Sequence, residues 1–357
     1  MTNIIDSNMK NNMGENLILK GGSLISIDEA KVFEVIRKRK PFSVALNGPE
    51  ALLPKMQETG KKIMKLFDIP AYIIGDTCWG SCDVNTHAAD MLGADLLFNI
   101  GHTISMETID KKVIMINAYD DVKFDIIVEK FAKDPANKEF QTLGLVTDSQ
   151  HLHQLQPSKK ILENHGFKII IGDGKGQLND GQVFGCEFYP AYDIQKRIDA
   201  YIFLGQSIFH SVSIAMSTEK PTFMLDPYFN EFQQVNDKAR IMEKKTILSI
   251  YKAQEATKIG IIIGLKEGQF SKIKALKFKK SLEVLGKDIQ LIALTEITEE
   301  RLRNFKGIDA YIQVACPRIA IDNHFTKPIL SVPQAEALVK ILKKEPIDDF
   351  LKLRHWL

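Results

Sequence analysis

The feature that most constrains this chain is a buried-strand pattern that occurs three times. It reads Ala94-Asp95-Leu96-Leu97-Phe98-Asn99-Ile100-Gly101, then Asp199-Ala200-Tyr201-Ile202-Phe203-Leu204-Gly205, then Asp309-Ala310-Tyr311-Ile312-Gln313-Val314-Ala315. Short, almost wholly apolar runs of this kind suit parallel strands covered on both faces. A basic residue and a second apolar run follow each copy, at 113–116, 222–225 and 329–330. Ahead of each lies an opening strand (42–46, 143–146, 259–263), a helix-like stretch (55–66, 157–163, 270–285) and a further strand (71–74, 168–171, 289–292). Strands alternating with helices predict right-handed βαβ units. The expected fold is therefore α/β: three repeated small doubly wound parallel-sheet domains of about four strands each. At 357 residues the chain exceeds the size at which one core keeps growing, which agrees with several domains. Turn-forming Asp134-Pro135-Ala136-Asn137 and polar Gln254-Glu255-Ala256-Thr257 divide it into 16–136, 137–255 and 256–357.

The repeat gives meaning to the four cysteines, Cys78, Cys82, Cys186 and Cys316. Cys82 stands 13 residues ahead of Asp95 and Cys186 stands 13 ahead of Asp199, so the two occupy one place in their units. Cys316 falls 7 residues after Asp309, where the first unit has His102 and the second Gln206. All three are strand-to-loop positions at the carboxyl edge of a parallel sheet, where open α/β folds place ligands. Cys78 has no counterpart, since Gln182 stands four residues before Cys186, and it is expected to be a small buried side chain beneath its loop.

Three thiolates from three domains meet only if the sheet edges face a common axis, which a pseudo-threefold arrangement supplies. Such a donor set admits a catalytic zinc with three ligands and water, or a 4Fe-4S cluster with one iron left open. No His-x-x-x-His or Cys-x-x-Cys pair completes a local zinc site. His102 is a candidate fourth ligand or a hydrogen-bonding group behind a ligand. A phosphate-binding Gly-x-x-x-x-Gly-Lys-Ser/Thr loop is absent, and Gly172-Asp173-Gly174-Lys175-Gly176 reads as a turn or flexible loop. The Cys-x-x-x-Cys-x-x-Cys signature of ordinary radical enzymes is also missing, so radical chemistry would need an atypical cluster site.

With 47 basic against 45 acidic residues the net charge is only +2, which gives no argument for a nucleic-acid partner. No apolar run approaches the roughly 20 residues of a membrane span. The polar stretch 1–15 lacks a secretory signal pattern and is expected to be a disordered leader, so the protein is expected to be cytoplasmic. In that reducing compartment the cysteines serve as ligands or buried thiols rather than disulfides.

Several motifs together carry a resemblance: Gly75-Asp76-Thr77-Cys78-Trp79-Gly80-Ser81-Cys82-Asp83, Gly101-His102, Gly205-Gln206-Ser207-Ile208-Phe209-His210, Asp226-Pro227-Tyr228 and Gln313-Val314-Ala315-Cys316-Pro317-Arg318. The chain resembles the first-step enzymes of diphthamide biosynthesis, the 2-(3-amino-3-carboxypropyl)histidine synthases, in their compact archaeal form. The resemblance implies a 4Fe-4S cluster on Cys82, Cys186 and Cys316, in the centre of the three domains. It also implies S-adenosylmethionine as co-substrate, translation elongation factor 2 as protein substrate, methylthioadenosine as the released product, an electron donor, and a homodimer. Gly205, Gln206, Phe209, His210, Asp226, Tyr228, Gln313 and Arg318 are then the candidates to surround the cofactor, with Arg318 suited to a carboxylate. One departure is that the family's Gly-Gly-Gly-Arg-Phe-His becomes the bulkier 205–210 loop here. Two alternatives share parts of this pattern: a quinolinate-synthase-like 4Fe-4S dehydratase, and a cluster-bearing partner that passes electrons to a catalytic paralogue.

Overall fold

The computed structural model describes residues 25–102, 112–176, 178–322 and 324–357; the expected leader at 1–15 lies outside them. The first unit contains β1 (Ile25–Ile27), β2 (Val44–Asn47), β3 (Ala71–Ile73), β4 (Leu96–Ile100), β5 (Val113–Ile116) and β6 (Ala118–Asp120). In the second are β7 (Thr142–Thr147), β8 (Lys168–Ile170), β9 (Ala200–Leu204), β10 (Thr222–Asp226) and β11 (Glu231–Gln234). β12 (Lys258–Gly264), β13 (Asp288–Leu294), β14 (Ala310–Gln313) and β15 (Ile329–Leu330) form the third.

Each unit builds the same parallel sheet. The strand orders are β3-β2-β4-β5, β8-β7-β9-β10 and β13-β12-β14-β15, so in every unit the marker strand lies third, between the opening strand and the last one. The sequence pattern anticipates all twelve of these strands. It does not anticipate the antiparallel additions, β11 on the edge of the second sheet and the small β1-β6 pair.

The aspartate that opens each marker strand has the same structural task three times. Asp95 accepts from the backbone N–H of Phe42 (2.6 Å) and Ser43 (3.2 Å). Asp199 accepts from Gln141 and Thr142, both at 2.8 Å, and Asp309 from Thr257 (3.0 Å) and Lys258 (2.8 Å). One carboxylate thus satisfies the unpaired donors at the start of the neighbouring opening strand. These donors hold Asp199 and Asp309 below the usual carboxylate range.

A second repeated pair sets the sheet packing. Tyr201 and Tyr311 lie beside Gly144 and Gly260 in register, and a Cβ on either glycine would stand within 3.0 Å of the tyrosine ring. The missing side chain gives the ring room to turn its hydroxyl onto a carbonyl, Ala191 O at 2.5 Å or Leu302 O at 2.9 Å. In the first unit the same position pairs Ala45 with Leu97, and the smaller side chain needs no glycine.

Two helices pack into cores beyond the boundaries expected from sequence. Asp125–Lys133 buries Ile127, Val128, Phe131 and Ala132 against Leu143, Leu145 and Phe223, so the core of the second unit begins near Phe124 rather than at 137. Asn236–Glu255 contributes Ala239 to the second unit's core and Ile250 and Ala253 to the third's. Among the described residues no helix is long and apolar enough to cross a membrane.

Candidate functional site

The first cysteine loop, between β3 and the helix Thr86–Met91, is built around Cys78. Its side chain is buried, with Sγ 3.3 Å from Asp83 O and 3.6 Å from Gly80 O, and burial raises its pKa to about 11. Cys78 therefore fills the inside of the turn, while Cys82 faces away from it toward the third unit. Gln269 Nε2 donates to Cys82 Sγ at 3.3 Å, and Gly268 N donates to Cys82 O at 3.0 Å. There is no space for a side chain at 268: a Cβ would lie 2.5 Å from the Cys82 Cα.

An ion-pair cluster locks this contact. Lys266, from the third unit, bonds the carboxylate of Asp83 and reaches Glu296 at 2.7 Å. Lys266 and Asp83 are each 8% exposed. Burial works against the Lys266 ammonium, but the two carboxylates outweigh it and raise its pKa above the ordinary value. Asp83 also accepts from Trp79 N at 3.2 Å, and Asn47 donates to Asp83 O at 3.1 Å, so the ion pair fixes the whole turn that carries Cys82.

Cys186 lies in the irregular stretch between β8 and the helix Tyr189–Tyr192. Its neighbour Gly185 is covered by the Phe209 ring, which a Cβ there would overlap at 2.0 Å. Phe209 in turn lies under the Arg318 guanidinium, 5.4 Å from the ring centroid, so one aromatic ring joins the Cys186 stretch to the Cys316 motif.

Cys316 immediately precedes the helix Pro317–Asp322. Gln313 is 1% exposed and shapes the turn, donating to Cys316 O (2.8 Å) and accepting from Ala315 N (2.8 Å). Arg318 pairs with Asp322 at 2.8 Å on the outer side.

The three thiols act on one another. Burial raises the pKa of Cys82, and the Gln269 hydrogen bond partly opposes it. Burial also pushes Cys186 well above the ordinary thiol value, and negative charge on Cys316 or Cys82 would push it further. Cys316 is raised to about 11, again by burial first and then by Cys82. Such a group favours neutral thiols unless a cationic centre compensates, and a metal inverts that preference by holding thiolates outright.

Two buried histidines interact with sequence neighbours of the thiols, His102 with Asp83 and His210 with Arg318 and with His102. His102 closes β4 at a left-handed backbone position (φ 44°), and His210 sits in the first turn of the helix Ile208–Thr218, whose N-cap is Ser207. Each has a buried Nδ1 without a hydrogen-bond partner. Burial lowers their pKa values to about 4 and about 3, and each is neutral at pH 7. The remaining sequence candidates lie along the edge of the second sheet. Gln206 is exposed and donates to Asp226 at 3.0 Å; Asp226 also accepts from Tyr228 N (2.9 Å) and Phe229 N (3.2 Å). Tyr228 donates to the buried Asp120 of the first unit at 2.5 Å, an inter-unit contact. At Gly205 the backbone φ of 141° is closed to other residues without strain.

Three cysteine thiols, one from each unit, are a donor set of the kind a 4Fe-4S cluster takes. Among the described residues no three His, Cys, Asp or Glu side chains are gathered closely enough for one metal ion. Thiolates sharing one zinc, at Zn–S of about 2.3 Å, would lie roughly 4 Å apart. A cubane gives each thiolate its own iron and accepts more widely set donors.

Residues 48–349 match the family model described as "Putative diphthamide synthesis protein". The chain belongs to the diphthamide synthesis family. It is similar to 2-(3-amino-3-carboxypropyl)histidine synthase from Pyrococcus horikoshii, with 28% identity over 92% of this chain and 94% of the relative. It is also similar to subunit 1 of that synthase from Dictyostelium discoideum, with 30% identity over 86% of this chain and 67% of the relative. Among solved structures, Dph2 from Pyrococcus horikoshii with a 4Fe-4S cluster superposes with a TM-score of 0.81 at 27% identity, covering 88% of this chain and 91% of that one. The family and the α/β fold of parallel sheets expected from sequence are thus borne out. Lys266, Gly268, Gln269 and Trp356 were not foreseen, because each acts on a cysteine of another unit and has no local motif.

Proposed function

We propose that this chain catalyses the first step of diphthamide biosynthesis, transferring the 3-amino-3-carboxypropyl group of S-adenosylmethionine to carbon 2 of a histidine imidazole in translation elongation factor 2. The observation that supports this reading most is three desolvated thiols, one per sheet, of which Cys186 is influenced by Cys316 and Cys82 and Cys316 by Cys82, in a chain of this family. Cys82, Cys186 and Cys316 are the residues to hold a 4Fe-4S cluster, leaving one iron without a protein ligand. When bound, the cluster supplies the electron that cleaves the bond between the sulfur and the γ-carbon of the methionine moiety, releasing methylthioadenosine.

The protein's own part is to bind, aim and keep out water. Arg318, half-exposed and stacked on Phe209, can exchange Asp322 for the methionine carboxylate through a bidentate contact. His102 and His210, neutral at pH 7, offer two unpaired ring nitrogens to the polar groups of the co-substrate. Phe209 shields the Cys186 side from water, and Gly205 allows close backbone approach. Gln206, Asp226, Tyr228 and Gln313 shape the surrounding edge, with Gln313 already engaged in holding the Cys316 turn. In this reading the enzyme works in the cytoplasm as a homodimer with a separate electron donor.

The test is anaerobic reconstitution, reaction with elongation factor 2, S-adenosylmethionine and dithionite, and mass spectrometry of both products. The expected result is a 3-amino-3-carboxypropyl adduct on one histidine together with methylthioadenosine. Unmodified elongation factor from fully loaded protein, or 5'-deoxyadenosine as the main nucleoside, would contradict the proposal.

A further inference from the structure

The stretch that carries Cys186 has little structure of its own. Residues 183–186 belong to neither a helix nor a strand, so the thiol's position depends on what covers them. On one side is the Phe209 ring against Gly185. On the other is a segment remote in sequence. Trp356 N donates to Cys186 O at 2.9 Å, Phe188 N donates to Arg354 O at 3.0 Å, and Glu187 and His355 form an antiparallel bridge between them. The segment is anchored firmly for so short a piece. The Trp356 side chain is 1% exposed, its ring meets Phe188 edge-on at 5.2 Å, and its Nε1 donates to Leu351 O at 2.8 Å. Arg354 adds an ion pair to Asp193 at 3.0 Å and lies over the Tyr192 ring at 5.8 Å.

We infer that residues 354–356 are a strap that sets the position of the Cys186 thiol, with Trp356 as its positioning residue. The inference rests on Cys186 being a ligand of the site proposed above. It extends a pattern already seen at Cys82: in both cases a backbone N–H from beyond residue 256 fixes the carbonyl of a cysteine in another unit. The third region thereby brings one thiol of its own and holds the other two in place.

The experiment uses the full-length, metal-free chain under anaerobic conditions and follows the iodoacetamide alkylation rate of each cysteine by mass spectrometry. Trp356→Ala is expected to speed alkylation of Cys186 on the order of tenfold, by local opening, while Cys82 and Cys316 change by less than about twofold. Trp356→Phe, which keeps a ring against Phe188, should remain close to wild type. If Trp356→Ala fails to fold, Trp356→Leu keeps the apolar volume without the ring face or the Nε1 donor and is read in the same way. An unchanged Cys186 rate in whichever of the Ala and Leu variants folds, or a uniform rise at all three cysteines, would overturn the strap. Iron content after reconstitution separates this from the functional proposal. If wild type takes up no iron while the selective change at Cys186 persists, the ligand reading fails and the strap stands.

Discussion

Replacing Lys266 by Met removes the ammonium that faces Asp83 beneath the Cys82 turn and leaves a carboxylate buried without its cation. One-sided loss of a buried ion pair costs about 3 to 5 kcal/mol. Here Asp83 retains the Trp79 N–H at 3.2 Å, and Glu296 is exposed enough to be rehydrated, with a side-chain exposure of 37%. The lower end, about 3 kcal/mol, is therefore expected. Because the pair ties the Cys82 turn to the third unit, much of that loss should be local. Amide hydrogen exchange at Gly268 and Asp83, whose N–H groups bond Cys82 O and Gly80 O, should accelerate about a hundredfold. Urea unfolding should shift in parallel, and the iron content of reconstituted protein should fall. The double variant Lys266→Met/Asp83→Asn removes both charges and should recover most of the loss, a coupling of about 2 kcal/mol or more. Wild-type exchange at these amides in Lys266→Met, or no recovery in the double variant, would refute the reasoning.

Tyr228→Phe deprives the buried Asp120 of its hydroxyl donor and should cost about 1 to 3 kcal/mol by urea unfolding, with loosened contact between the first and second units; no change would mean that water replaces the bond. His210 gives a pH dependence of known sign. Its folded pKa of about 3 lies below the ordinary 6.5, so the unfolded chain binds the proton first, and this contribution is complete above pH 6.5 and lost progressively as the pH falls toward 3. His210→Gln should therefore flatten the stability loss between pH 7 and 5 by about 2 kcal/mol; parallel curves for the two proteins would contradict that assignment.

The legible part of this molecule is what repeats. Twelve parallel strands can be read because each is a short apolar run with the same neighbours in three units, and the marker aspartates repeat because each satisfies the same pair of backbone donors. The equivalence of Cys82 and Cys186, and the lack of an equivalent for Cys78, follow from the same spacing, and the structure puts Cys78 inside its turn. Contacts between units are not legible in this way. Lys266 sits in an ordinary loop after β12 and becomes a buried ion only because Asp83 and Glu296 converge on it. Trp356 reads as a lone aromatic until the chain returns to the second unit. Asp125–Lys133, which packs into the core of the following unit, and Asn236–Glu255, which serves two cores, likewise obscure boundaries drawn from turn-forming residues, since their apolar faces do not say which sheet they cover.

The central claim is that three thiols, one from each unit, hold a single cluster, and that in the first unit the donor is Cys82. Its most direct test is the iron and sulfide content of wild type, Cys78→Ala and Cys82→Ala reconstituted side by side under anaerobic conditions. Wild type and Cys78→Ala should each hold about four irons and four sulfides per chain and bleach in air, while Cys82→Ala should lose the cluster absorbance. A loaded Cys82→Ala beside an empty Cys78→Ala, or a stoichiometric air-stable zinc in wild type, would contradict it.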